Sequence, residues 1–185
     1  RVTRGRAVEA EPEDGARQPG ELLGEVEPPA TAMRALVAEL PAAGDRWHQA
    51  HFNADVIRLF FRVEPDSSQR VLTQEVKPDG SLGPPEQRPC VYSAANRNMK
   101  IELRARAGTP YPSGGARPIA VFLELQARTF EYLILMPGES GYSEMLSVVR
   151  SHPSVGRGLH RVITHFEDIL TTWPECPLAR GSASP

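Results

Sequence analysis

The chain has 185 residues, enough for one domain with an extension, and its 40% apolar and 6% aromatic content suits an ordinary globular protein. A net charge of −2 excludes a globally basic nucleic-acid binder, so any surface for a polyanion must be local. No apolar run reaches the ~18–20 residues of a bilayer-spanning helix, and two cysteines, Cys90 and Cys176, are too few for a disulfide framework or an all-cysteine zinc site. No secretory leader is visible, and the first residue is Arg1, as in a piece cut from a longer chain. These features together favour a reduced, intracellular setting, cytoplasmic or nucleoid-associated, although sequence leaves a Cys90–Cys176 bridge open.

Residues 1–30 carry seven acids against four bases and almost no large apolar side chain. Such a segment buries too little surface to offset the entropy of ordering it, and reads as an acidic disordered tail or linker. Residues 31–178 read as one α+β domain, and 179–185 as a second disordered tail. Met33, Leu36, Val37 and Leu40 fall at helical spacing, predicting a helix that Thr31 caps and Pro41 ends. In "DVIRLFFRVE", Ile57, Leu59, Phe61 and Val63 alternate with Arg58 and Arg62, which predicts a half-buried strand. "QRVLTQEVK" is its hairpin partner, with Leu72 and Val76 inward. Residues 78–89, "PDGSLGPPEQRP", read as a long loop, and "CVYS" as a short strand.

Met99, Ile101, Leu103 and Ala105 then alternate with Lys100, Glu102, Arg104 and Arg106, a two-faced strand that the prolines and glycines of "AGTPYPSGG" end. "RPIAVFLELQA" and "TFEYLILM" are apolar on both faces, as central strands are. "YSEMLSVVRSH" predicts a short amphipathic helix. Residues 154–173 place Val155, Leu159, Val162, Ile163, Phe166, Ile169 and Leu170 on one stripe, predicting the longest helix. About six mainly antiparallel strands, with one N-terminal helix and one or two C-terminal ones, make an open sheet or a partly open barrel.

Residues 88–117 hold six bases and one acid, and 146–166 hold three arginines, three histidines and no acid. Phosphate contacts from Arg and Lys supply sequence-independent affinity for DNA, and strand neighbours two apart are spaced ~6.5–7 Å, close to the phosphate repeat. Lys100, Arg104, Arg106 and Arg117 are the candidate phosphate contacts, Asn96, Arg97 and Asn98 the candidate base readers, and Tyr92 and Tyr111 stacking or backbone groups. The competing explanation is a solvated strand face, which half of all antiparallel sheets possess.

Two other chemistries have weaker signals. Asp66, Glu75 and Lys77 resemble the Asp…(Asp/Glu)-x-Lys pattern of restriction-type nucleases, in which carboxylates would hold Mg²⁺. His48, His51 and Asp55 would share one face if their segment were helical, yet isolated histidines at such spacing are more often satisfied structural groups than metal ligands.

The strand "NRNMKIELRARA" with the two apolar strands after it, residues 88–136, resembles the DNA-binding pseudobarrel domains of plant transcription factors and restriction-endonuclease effector domains. The resemblance implies major-groove entry by an arm comprising Arg97, Asn98, Lys100 and Arg104. The second arm expected near the first strands has no counterpart in this sequence. The resulting expectation is a non-catalytic module for double-stranded DNA, without cofactor, metal or membrane, and part of a restriction system. A metal-dependent nuclease and a protein–protein interaction domain are the alternatives.

Overall fold

The computed structural model describes residues 33–41, 49–64, 67–93, 98–103, 106, 108–153 and 158–179; side chains at 49, 92, 93, 98 and 99 are excluded. The expected tails at 1–30 and 180–185 lie outside these residues.

The predicted first helix is instead a strand, β1 (Arg34–Glu39). It lies between two other strands, and Ala35, Leu36, Val37 and Ala38 are all buried, so both of its faces are covered. A continuous apolar run satisfies helical spacing by accident, and burial on both sides decides for the strand. β2 (Gln49–Asn53) follows, and its last residue starts a helical turn: Asn53 Oδ1 accepts the Val56 N–H at 3.0 Å. This turn, α1 (Ala54–Val56), runs into a π-helical turn over Ile57–Phe61 that ends at Arg62 in left-handed conformation (φ 54°).

The strand predicted for this segment does not form. Leu59, expected to face inward, is 63% exposed, whereas Ile57, Phe60 and Phe61 are fully buried. An Asn cap followed by paired phenylalanines overrode the alternation.

β3 (Arg70–Val76) pairs antiparallel with β4 (Leu82–Pro89) through a turn at 77–81. The predicted loop at 78–89 is therefore largely a strand. β4 lies at the edge of its sheet, and Pro84, Pro85 and Pro89 are tolerated there because an edge strand has one unpaired side. β5 (Val91–Ser93) falls on the short strand expected at "CVYS", and β6 (Asn98–Glu102) on the first part of the expected two-faced strand. β7 (Ile119–Gln126) and β8 (Thr129–Leu135) are the two expected central strands, and they pair with each other antiparallel.

α2 (Tyr142–Arg150) is the expected amphipathic helix. The long helix predicted after it is divided into β9 (Arg161–His165) and α3 (Phe166–Thr172). Asp168 accepts from the Thr164 hydroxyl and the His165 N–H, a cap that starts α3 where the strand stops.

The fold is α+β, as expected, and the described strands form two open sheets. The larger has the order β4-β3-β8-β7-β1-β9, antiparallel except for the β3–β8 pair, and the smaller has the order β2-β6-β5. The large sheet ends on two different strands and does not close into a barrel. α2 and α3 cover one face, where Ala35, Val37, Val121, Leu133, Met145, Ile169 and Trp173 share a core.

The small sheet and the π-helical turn cover the other face. Phe61 sits at the centre of that second core, with ring centroids 5.2 Å from Phe52, 5.1 Å from Phe60, 5.3 Å from Phe122 and 5.0 Å from Phe130. Ala50, Phe52 and Ile101 turn inward from the small sheet into this cluster. Its opposite face is thereby committed to solvent.

Candidate nucleic-acid interface

The solvent face of the small sheet is built by register. Lys100 on β6 pairs with His51 on β2 and Val91 on β5, forming one cross-strand row. Asn98 pairs with Asn53 and Ser93 in the next row, and Glu102 with Gln49 in the row beyond Lys100. Because the intervening Ala50 and Ile101 are buried, the Lys100 row faces water. Lys100 and His51 are half-buried, and Val91 is 46% exposed.

Burial of the imidazole, with the positive charge of Lys100 beside it, holds the His51 pKa below its ordinary value. No carboxylate among the described residues is paired with Lys100. Asn53 is engaged elsewhere, since its side chain caps α1.

The predicted site is divided by this geometry. Asn98 and Lys100 lie on β6, whereas Asn96, Arg97 and Arg104 lie outside the described residues. Arg106 is turned onto the large sheet. It donates to the Ile134 carbonyl at 3.0 and 3.2 Å and pairs with Glu139, which also accepts the Met136 N–H at 2.8 Å. Tyr111 donates its hydroxyl to the Leu40 carbonyl at 2.9 Å and packs its ring against the aromatic core. Arg117 lies 3.9 Å from Glu39 and 3.4 Å from the Gly158 carbonyl. These three side chains fasten the 106–118 loop to the sheet. Their engagement weighs against the phosphate-contact and stacking roles expected from sequence.

The two cationic stretches meet at Glu39, whose side chain is 2% exposed. It accepts the His160 N–H at 3.0 Å, lies 3.4 Å from Arg150 and faces Arg117 from the other side. A buried carboxylate between two guanidinium groups offsets the charge there, so this convergence is an internal clasp. Farther along β9, Arg161 has a buried Nη1 without a hydrogen-bond partner among the described residues, and burial lowers its pKa.

The other candidate chemistries are distributed differently. Asp66 is outside the described residues; Glu75 is half-buried at an irregularity of β3, and Lys77 lies exposed beyond the end of that strand. No group of three or more His, Cys, Asp or Glu among the described residues could hold a metal ion. His51 lies on a strand, so the helical spacing proposed for His48, His51 and Asp55 does not apply; His48 is outside the described residues. Cys90 and Cys176 are not joined in a disulfide; they are buried in different cores, and burial pushes the Cys90 thiol up to about 11. No described helix is long and apolar enough to cross a membrane.

The position of His51 beside Lys100 was missed by the sequence reading. Its available signal was the alternation in "QAHFN", where Ala50 and Phe52 turn inward.

No family model matches the chain, and no curated protein matches it. In structure it is similar to the N-terminal domain of Helicobacter pylori LlaJI.R1, with a TM-score of 0.50 at 6% identity, over 71% of this chain and 98% of that one. The likeness is one of fold.

Proposed function

We propose that this chain is a non-catalytic module for double-stranded DNA within a restriction system, and that the solvent face of β2-β6-β5 meets the duplex. Lys100 holds a backbone phosphate there; Arg104, beyond the end of β6, holds another. Asn96 and Arg97 in the β5–β6 connection, with Asn98, read base edges. The observation that carries this reading is the placement of Lys100 on an outward row with no ion-pair partner among the described residues. Such a cation can neutralise a phosphate without first giving up a carboxylate. The fold likeness to the N-terminal domain of Helicobacter pylori LlaJI.R1 accords with the same reading.

Titrating a duplex against the protein over a range of salt tests it. Lys100→Gln and Arg104→Gln are each expected to weaken binding and to reduce the log–log salt slope by about 0.9. If both variants bind with the wild-type affinity and slope, the proposed contact is wrong.

A further inference from the structure

Resting on the DNA-binding reading above, we propose that His51 shares with Lys100 the grip on one backbone phosphate, binding it as the imidazolium, so that duplex affinity rises as the pH falls. The two residues are directly opposed across antiparallel β2 and β6, which sets their Cβ atoms about 4.5–5.5 Å apart. Both leave the same solvent face, because their neighbours Ala50 and Ile101 are in the core. β2 is an edge strand, so nothing in the sheet lies beyond His51.

β6 and α1 pack against β2, and their charged residues are Lys100, Glu102 and Asp55. Lys100 is the one in direct register with His51; Glu102 is in register with Gln49, and Asp55 lies on α1 beyond the strand end.

The sign of the pH dependence follows from these charges. In the free protein, burial and Lys100 disfavour the imidazolium, leaving His51 neutral near pH 7. A phosphate docked on the row offsets the Lys100 charge, accepts from the imidazolium and raises the His51 pKa, so binding takes up a proton. Affinity therefore gains up to about tenfold for each unit by which the bound pKa exceeds the free one. The gain is complete below the free value and is lost as pH rises through the bound value.

Anisotropy of a labelled random-sequence duplex, read from about pH 5.5 to about pH 8 at fixed ionic strength, tests the proposal on the full chain. Wild-type affinity is expected to rise about tenfold toward acid. His51→Gln should remain at the alkaline level throughout, while His51→Lys should hold the acid-level affinity at every pH. A His51→Gln profile that parallels wild type overturns the proposal and leaves the DNA reading standing; a wild type that binds no duplex at any pH removes that reading itself. Proton NMR titration of the His51 ring in wild-type protein provides a check without a variant. Duplex should raise its pKa, and an unchanged or lowered value overturns the proposal.

Discussion

Glu39 shows how much of the local charge is structural. It lies on β1 beneath Arg117 and Arg150, and its carboxylate also receives the His160 N–H. Replacing it by alanine leaves that amide without this acceptor and two guanidinium groups without their shared carboxylate. Both arginines retain access to water, so the expected cost is about 1–3 kcal/mol, less than a fully buried pair would lose, and urea denaturation measures it. At Gly141 the constraint is steric. Its φ is +83°, and a Cβ there would lie 2.3 Å from the Trp173 ring. Gly141→Ala is expected to destabilise the fold by about 2–4 kcal/mol, with a shift in tryptophan emission that reports the displaced indole. Arg106 belongs with Glu39 on this account. Arg106→Ala should lower stability by about 1–2 kcal/mol through the lost Ile134 and Glu139 contacts, while leaving duplex affinity at constant salt nearly unchanged.

The π-helical turn at Ile57–Phe61 ties the small sheet to the large one, because Phe61 touches rings from β2, β7 and β8. Phe61→Ala is expected to cost about 3–5 kcal/mol and to loosen β2-β6-β5 before α2 and α3, a difference that amide exchange resolves by element. β7 and β8 were legible in the sequence as apolar runs covered on both faces, and α2 as a short amphipathic stripe at helical spacing. β6 was legible because Ile101 and Leu103 alternate with charged residues. β1 and β9 were misread for one reason: each contains apolar residues at helical spacing, and the strand neighbours that decide the matter are remote in sequence. β1 pairs with Ile119–Leu123 of β7, and β9 pairs with β1. β4 was hidden by its prolines, which an edge position excuses. At the candidate site, the sequence placed Asn98 and Lys100 at one strand but had no means of setting Lys100 opposite His51, since that pairing joins two strands remote in sequence. Nor did it show that Arg106 and Arg117 face Glu139 and Glu39.

At the scale of the molecule, the two faces of the large sheet have different covers. One carries α2 and α3; the other carries a small sheet whose own outer face bears a cation without a paired carboxylate among the described residues. This asymmetry is what the DNA-binding account requires, and it makes a spatial prediction that affinity measurements alone do not address. Amide chemical-shift mapping of labelled protein with a short duplex is the most direct measurement. The account predicts shifts concentrated on β2, β5 and β6 around His51, Val91 and Lys100, with α2 and α3 nearly silent. Shifts centred on α2 and α3, with the small sheet unmoved, would contradict it.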